Sequence, residues 1–313
     1  MCVLYATSMP GASYAGDLPA STPALRELAA RLTAHVTALA GSIGIRNVEH
    51  PEQLTAARDY LVDQLRTLET ASNRVKLEDV GAQGGHAQNV IFEVAGRGQA
   101  RIVVVGAHYD SIDTGPGAND NGSGVAATLE LAATFARAPA PSTVRFVFFV
   151  NEEPPYFRNA GMGSRVNADN ARKHQDAISA MLSLETIGYY RDAVYTQHYP
   201  WPIGLLYPSR GNFVGFVGDL GSRSLVRSAI ESFRAAEQFP SEGAALPATF
   251  PGIDWSDHWS FRQAGYPAIM ITDTALYRDP NYHRATDTPE KLSYDSLARV
   301  TRGVEAVVRQ LAH

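Results

Sequence analysis

The sequence predicts a single α/β domain in which helices cover both faces of a mixed, mostly parallel central sheet. Runs with helical spacing alternate with short β-branched and aromatic runs along the 313-residue chain. The runs at residues 101–107 and 143–150 are almost entirely apolar, which is typical of strands covered on both faces. No repeat or linker divides the chain. We therefore expect a single domain over residues 21–313 and a disordered or surface-bound tail over residues 1–20.

The elements follow from local patterns. Thr22 can cap a helix that begins at Pro23, a second helix follows Pro51, and Thr288 with Pro289 is predicted to begin the C-terminal helix. Further helices are predicted over residues 123–137 and 222–236. The predicted strands are residues 75–80, 89–95, 101–107, 143–150, 177–184, 212–217 and 268–272. The segment 197–211 is rich in Pro, Tyr and Trp, and this composition predicts a long surface loop of the kind that often lines a functional site.

Composition excludes several classes of protein. Apolar residues make up 45% of the chain and the net charge is −5, so the basic excess typical of nucleic-acid binding is absent. Cys2 is the only cysteine, which excludes an internal disulfide and a cysteine-based metal site. No apolar run reaches the ~20 residues that span a bilayer. No Lys or Arg precedes Arg26, so we predict either a cytoplasmic protein or one whose export signal is not visible in this chain.

Acidic and imidazole side chains follow three predicted strands. His108 and Asp110 follow the third strand, Glu152 and Glu153 follow the fourth, and Glu185 follows the fifth. Ligands of open α/β sheets bind beyond the carboxyl ends of the strands. We therefore expect these side chains to meet at one edge of the sheet.

Two further residues extend this group. Asp120 lies in the glycine-rich segment GPGANDNGSG, and His283 follows the last predicted strand in NYHRATDTPEKL. Carboxylates packed this closely repel one another, and a cation would relieve the repulsion. Asp, Glu and His are the ligands of catalytic zinc. The number of ligands fits two ions that share one carboxylate, which would leave a sixth group free to act as a base.

Five ordered motifs carry a family resemblance. GAHYDS, GANDNGSG, NEE, LETIGY and YHRATDT resemble those of the co-catalytic dizinc aminopeptidases, metallopeptidase family twenty-eight, over about residues 89–292. The resemblance implies a zinc-peptidase fold of the phosphorylase/hydrolase-like type. It also implies a peptide substrate, two zinc ions per chain and a secreted or periplasmic location.

The resemblance also implies the metal ligands. Asp120 would bridge the two ions, with His108 and Glu185 completing one site and Glu153 and His283 completing the other.

By the same resemblance, Glu152 is the general base for a metal-bridging hydroxide that attacks the scissile carbonyl. Tyr282 would help to stabilise the oxyanion, and Asp110 would orient His108 from behind.

The sequence departs from the commonest family pattern in three places: Glu185, the pair Pro154 and Pro155, and the Pro-aromatic loop near Trp201, which matches no feature of the family. Glu185 occupies a position where Asp is frequent, so its longer side chain raises the question of whether it binds metal directly. Pro154 and Pro155 are expected to force extended backbone after the acidic pair and to stiffen the substrate pocket. The family also implies a cis peptide bond between Asp120 and Asn121.

The remaining histidines are predicted to have structural roles or to be solvated. His258, in WSDHWSF, is interpreted as a packed side chain beside a helix capped by Asp257 rather than as a sixth ligand. The other histidines lack obvious partners in sequence and are interpreted as solvated or structural; they are His35, His50, His86, His174, His198 and His313. The sequence contains no G-x-S-x-G elbow, H-E-x-x-H helix or phosphate-binding loop.

Three functional hypotheses remain open. The first is a zinc exopeptidase, most consistent with an aminopeptidase, although Arg158, Arg191 and Arg262 are possible partners for a substrate carboxylate. The second is a glutaminyl cyclase on a similar scaffold with one zinc ion. The third is a non-catalytic binding module on the same fold. The sequence does not predict side-chain preference or oligomeric state.

Overall fold

A mixed eight-stranded sheet forms the centre of the computed structural model, which describes residues 2–313 and, apart from residues 2–4 and 99, their side chains. The spatial order of the strands is β1-β2-β4-β3-β5-β8-β6-β7. The strands are β1 (Val75–Asp79), β2 (Gln88–Val94), β3 (Gln99–His108), β4 (Ser142–Phe149), β5 (Ile178–Glu185), β6 (Val214–Asp219), β7 (Ser241–Leu246) and β8 (Ala268–Thr272).

The middle of the sheet is parallel and its flanks are mixed. Strand β3 runs parallel to both β4 and β5, and β5 runs parallel to β8. On one side, β2 pairs antiparallel with β4, and β1 pairs antiparallel with β2. On the other side, β6 is antiparallel to β8 but parallel to β7. The parallel strands therefore end together at one edge, which confirms the predicted sheet class and brings its polar residues to that edge.

Eight α-helices accompany the sheet among residues 2–313. They are α1 (Cys2–Thr7), α2 (Pro23–Val36), α3 (Pro51–Arg66), α4 (Gly124–Arg137), α5 (Gly163–Lys173), α6 (Arg223–Ala236), α7 (His258–Gln263) and α8 (Tyr294–Leu311). The start of α2 is as predicted, since the Thr22 side chain accepts a hydrogen bond from the backbone N–H of Leu25. The predicted start of the C-terminal helix is wrong, because Pro289–Lys291 forms a separate 3-10 turn and Leu292 is extended before α8 begins.

Helices pack on both faces of the sheet. Val103 and Val105 of β3 belong to the larger core, beneath α2, α4 and α8, whereas Val104 faces a second core with Ala168 of α5 and Phe261 of α7. Because neighbouring residues of a strand point to opposite faces, this alternation explains why β3 is apolar throughout. Among the described residues, no helix is both long and apolar enough to span a membrane.

The N-terminal segment follows the surface-bound alternative of its prediction rather than the disordered one. Helix α1 contacts β7, and Ala6 is buried beside Leu246 and Ile253. The guanidinium group of Arg234 donates hydrogen bonds to the backbone oxygens of Pro10 and Gly11. The small and polar composition of this segment is compatible with disorder, but the contacts with the edge strand give it a defined path.

Candidate metal centre

The carboxyl ends of the central strands carry the predicted site residues. His108 is the last residue of β3, Glu185 is the last residue of β5, and Glu152 and Glu153 follow β4 after a short turn. All four side chains are buried. The parallel pairing of β3 with β4 and β5 brings these residues to the same edge, as the sequence predicted.

Two groups of donor atoms meet at this edge. In the first, His108 Nε2 lies 3.2 Å from Asp120 Oδ1 and 3.4 Å from Glu185 Oε2. In the second, His283 Nε2 lies 3.1 Å from Asp120 Oδ2 and 3.3 Å from Glu153 Oε2. Within each group, one donor atom per residue lies within 4.8 Å of the others. The two oxygens of Asp120 therefore face different groups, and this single carboxylate joins them.

The loop that carries Asp120 is held by backbone contacts. The peptide bond between Asp120 and Asn121 is cis, as the family resemblance implied. The backbone N–H groups of Asn119 and Asp120 donate to the two carboxylate oxygens of Asp287, at 2.8 and 3.1 Å. Gly117 has a φ of +62°, and a Cβ there would lie 2.1 Å from the backbone oxygen of Asp120, so this close turn requires glycine.

Asp110 lies behind the first group. Its two carboxylate oxygens accept hydrogen bonds from the backbone N–H groups of Glu152 and Glu153, each at 3.2 Å. Its Oδ1 atom also lies 3.5 Å from His108 Nδ1. One buried carboxylate thus contacts both the β3 histidine and the loop that follows β4.

Glu152 and Tyr282 border the donor groups without belonging to either. Glu152 Oε2 lies 3.8 Å from His108 Nε2. The ring of Tyr282 stacks on that of His283, with centroids 3.9 Å apart and planes inclined by 16°. Both residues therefore face the same small volume as the metal-ligand candidates.

The charges of the site are strongly coupled. Burial would raise the pKa of Asp120, but the neighbouring imidazoles of His108 and His283 hold that pKa below its ordinary value. Burial and the neighbouring Asp120 raise the pKa of Glu153 to about 7. Burial would lower the pKa of His283, yet the two carboxylates beside it raise that pKa to about 10. Burial together with Glu185 and Glu153 raises the pKa of Glu152 well above its usual range.

The donor set fits zinc. Three buried side-chain atoms of the two groups have no hydrogen-bond partner among the described residues: His108 Nε2, Asp120 Oδ2 and Glu153 Oε1. Buried polar atoms are normally satisfied, so such a cluster is explained by a cation that these atoms would ligate. Imidazole nitrogens with carboxylate oxygens are the ligand set that zinc prefers in catalytic sites.

Several contacts of the site were not predicted from sequence. Ser256 donates a hydrogen bond of 2.7 Å to Glu185 Oε2. Arg46 is fully buried and donates to the backbone oxygens of Tyr109, Pro116 and Gly117, which flank Asp110 and Asp120. The turn before α3 gives no local signal that its arginine reaches these loops.

The structure revises some minor predictions. Asp257 does not cap α7 through its side chain, since that carboxylate is buried towards the site. Pro154 and Pro155 do not extend the chain, because Tyr156 N–H donates to Glu153 oxygen and closes a turn around a cis bond. His258 packs as predicted, with Nε2 2.8 Å from the Ile253 oxygen and outside both donor groups.

Among the histidines predicted to lack partners, some have them. His35 lies 2.7 Å from the Tyr60 hydroxyl and 3.3 Å from Glu130. His50 lies 3.1 Å from Asp113. These contacts support the structural role predicted for both residues but correct the expectation that they have no partner.

A cavity of about 130 Å³ opens beside the donor groups, at Glu185 and Tyr282. The predicted surface loop forms part of its wall through Tyr199 and Tyr207, and Trp255 also lines it. We call it the aromatic cavity. The loop therefore lines a site, as its composition suggested.

The family model for peptidase family M28 matches residues 89–308, which is well over half of the chain. The chain belongs to peptidase family M28. This membership confirms the predicted family and supports the predicted enzyme class, a metallo-exopeptidase.

Relatives of this M28 chain include uncharacterised and named proteins. YfbL of Escherichia coli is 35% identical, and the alignment covers 83% of this chain and 81% of that protein. Leucine aminopeptidase 1 of Arthroderma otae is 30% identical over 81% of this chain and 66% of its own length. The probable lipoprotein aminopeptidase LpqL of Mycobacterium tuberculosis is 29% identical, and the match covers 72% of this chain and 46% of that protein. The chain thus spans about half to two thirds of these two aminopeptidases.

Solved structures share the fold of this M28 chain. LapB of Legionella pneumophila superposes with a TM-score of 0.74 at 17% identity, over 99% of this chain and 80% of that one. BSAP, a zinc aminopeptidase of Bacillus subtilis, gives 0.67 at 16% identity, over 94% and 96%. A glutaminyl cyclase of Bacteroides thetaiotaomicron gives 0.66 at 17% identity, over 94% and 99%. At these identities the likeness establishes the fold alone.

Proposed function

We propose that this M28 chain is a dinuclear zinc aminopeptidase. The observation that carries the proposal is the sharing of Asp120 between two donor groups, one with His108 and Glu185 and the other with Glu153 and His283. A mononuclear site would need only one of these groups. When bound, zinc would act here as a Lewis acid that polarises a carbonyl oxygen and makes water more acidic.

Glu152 is the general base of the proposed reaction. It borders the first donor group without joining it, so its carboxylate is available to take a proton from the attacking water. The raised pKa of Glu152 also suits the later proton transfer, in which the same carboxyl group donates that proton to the leaving amine.

Tyr282 is the proposed donor to the developing oxyanion. Burial and the four surrounding carboxylates raise the pKa of its hydroxyl, so the phenol keeps its proton at neutral pH. A protonated hydroxyl next to His283 can donate a hydrogen bond to the oxygen of a scissile carbonyl. Asp110 acts through its neighbours and positions His108, Glu152 and Glu153.

The surrounding charges favour recognition of a free amino terminus. Arg158 pairs with Asp254 at 2.6 Å, and Arg262 pairs with Asp219 at 2.8 Å. Two of the three candidate partners for a substrate carboxylate are therefore engaged elsewhere, and the third, Arg191, donates to the Tyr190 backbone oxygen and does not line the aromatic cavity. The site itself is rich in carboxylates, which attract an ammonium group.

The test is a combined metal count and substrate panel. Zinc-loaded protein is assayed on peptides with a free amino terminus, with a blocked terminus, and with an N-terminal Gln, and zinc is counted on the same sample. We expect about two zinc ions per chain and hydrolysis of the free-amine peptides only. The Glu152→Gln variant should keep its zinc and lose about 10²–10⁴-fold in kcat, whereas Glu231→Gln, an exposed control on α6, should match wild type.

Other results would overturn the proposal in identifiable ways. One zinc ion per chain with cyclisation of N-terminal Gln would indicate a glutaminyl cyclase. Full zinc loading without turnover of any peptide would indicate a binding module.

A further inference from the structure

The floor of the aromatic cavity is a row of four residues across four strands. Glu185 of β5 pairs in register with Thr272 of β8, Thr272 with Gly215 of β6, and Gly215 with Glu242 of β7. All four line the cavity. Neighbouring strands lie about 4.8 Å apart, so Glu242 stands about 14 Å from the strand that carries Glu185. The cavity thus runs from the metal-ligand candidates to a second carboxylate.

The middle of this row leaves room for an extended side chain. Gly215 carries no side chain, so the floor between Thr272 and Glu242 is low there, with the methyl groups of Thr272 and Thr274 beside it. The walls include Tyr199, Tyr207 and Trp255. Aromatic walls accept the aliphatic stem of a long side chain and also attract a cationic tip.

Three side chains near Glu242 that could donate hydrogen bonds to it are directed elsewhere, whereas the Ser13 hydroxyl does interact with it. The Tyr207 hydroxyl donates to the Gly243 oxygen and the Tyr199 hydroxyl to the Pro208 oxygen, each at 2.7 Å. Arg234 donates to Ser241, at 3.0 Å to Oγ and 2.6 Å to the backbone oxygen.

Glu242 is consequently a poorly compensated carboxylate. Burial raises its pKa, an effect that Arg234 and the Ser13 hydroxyl only partly offset. A cation brought into the cavity would stabilise the ionised form of this carboxylate.

We infer that Glu242 selects substrates whose N-terminal residue is arginine or lysine. The side chain of that residue would lie along the aromatic cavity over Gly215, with its cationic tip at the Glu242 carboxylate. The inference rests on the proposed aminopeptidase function and names the substrate class of that same site.

The experiment compares arginine with citrulline, its uncharged isostere. The kcat/KM values of wild type are measured on the arginyl, citrullinyl, lysyl and leucyl amides of aminomethylcoumarin. We expect arginyl to exceed citrullinyl by about tenfold or more, since citrulline keeps N–H donors but lacks the positive charge that pairs with the carboxylate. Glu242→Gln should bring this ratio to within about threefold of one, and the exposed control Glu231→Gln should leave it at the wild-type value.

A variant of opposite charge and a binding measurement complete the test. Glu242→Lys should lower the arginyl-to-leucyl ratio further than Glu242→Gln does. Binding of argininamide and leucinamide is measured by calorimetry on the same proteins, and Glu242→Gln should weaken argininamide specifically.

The two proposals fail in different ways. If no free-amine substrate is hydrolysed, the proposed function fails, and the argininamide measurement still tests Glu242. If leucyl substrates are hydrolysed but the ratio of arginyl to citrullinyl is the same in wild type and Glu242→Gln, the role of Glu242 is overturned.

Discussion

His108 Nδ1 lies 3.2 Å from the backbone oxygen of Asp110 and 3.5 Å from its Oδ1 atom. This contact turns the opposite ring nitrogen, Nε2, towards Asp120 and Glu185. Since the Asp110 carboxylate also accepts the backbone N–H groups of Glu152 and Glu153, it aligns groups that follow two different strands. Residues behind metal ligands commonly set ligand orientation in this way.

Replacing Asp110 by Asn should therefore weaken zinc binding. The amide keeps one acceptor oxygen but presents N–H₂ to a backbone N–H that now needs an acceptor, so the loop after β4 loses a hydrogen bond. We expect zinc affinity to fall about 10–100-fold, measured by competition with a chelator. Asp113→Asn is the matched control, because Asp113 is exposed and lies outside both donor groups. Equal affinities for the two variants would contradict a positioning role.

Removal of single ligands should distinguish the two donor groups. His283→Ala removes a ligand from the second group only, so we expect about one zinc ion per chain to remain with His108, Asp120 and Glu185. Asp120→Asn affects both groups and should lower the zinc content of both. Zinc is counted by elemental analysis after dialysis, with His174→Ala, an exposed histidine, as the control. Complete loss of zinc from His283→Ala would argue against separable sites.

Zinc affinity should rise with pH. In the zinc-free protein the Asp120 and Glu153 carboxylates outweigh the effect of burial and raise the pKa of His283 to about 10, whereas burial and the neighbouring Asp120 raise the pKa of Glu153 to about 7. Zinc must displace the His283 proton throughout the neutral range, and it must displace the Glu153 proton as well below about pH 7. The logarithm of affinity should therefore increase with pH, and more steeply below pH 7 than above it.

Calorimetry in two buffers of different ionisation enthalpy measures the number of protons released. Glu153→Gln should abolish the steepening below pH 7, whereas Glu231→Gln should retain it. A constant proton count from pH 6 to pH 8 in wild type would contradict this assignment.

Arg46 should be important for folding. Its guanidinium group donates to the backbone oxygens of Gly44, Tyr109, Pro116 and Gly117 in a fully buried position. Lysine has a single ammonium group that cannot span these oxygens, so Arg46→Lys should leave buried carbonyls unsatisfied. We expect the free energy of unfolding of the zinc-free protein to fall by about 2–4 kcal/mol, measured by urea unfolding. Arg26→Lys, on an exposed side chain, should change it by less than about 0.5 kcal/mol.

Local patterns predicted most of the fold. The apolar strands β3, β4 and β8 and the start of α2 follow directly from composition and capping. Strand β7 was missed because SEGAAL contains no β-branched residue, and it is a strand only because β6 pairs with it along its whole length. Helix α5 was missed because its sequence, GSRVNADNARK, is mostly polar. Tertiary contacts can override such local preferences.

The candidate site was predictable to a similar degree. Most of the candidate residues occur just after a strand or in a glycine-rich loop, and the family resemblance of the motifs, including YHRATDT with His283, implied their roles. The contacts of Arg46 and Asp287 with the loop of Asp120 were not predictable, since they join segments 71 and 167 residues apart in the chain. Pairings at such separations leave no local periodicity to detect.

The sequence by itself determined the sheet class, most of the elements and the family, because burial periodicity and residue type are local properties of the chain. Only the tertiary structure decided that Arg46 and Asp287 hold the loop of Asp120, that Asp110 also accepts from the backbone of Glu152 and Glu153, and that Glu242 stands at the far end of the aromatic cavity. The physical reason is strand order: β5, β8, β6 and β7 are neighbours in the sheet but not consecutive in the chain. Their register therefore brings Glu185 and Glu242 into one row that no sequence pattern encodes.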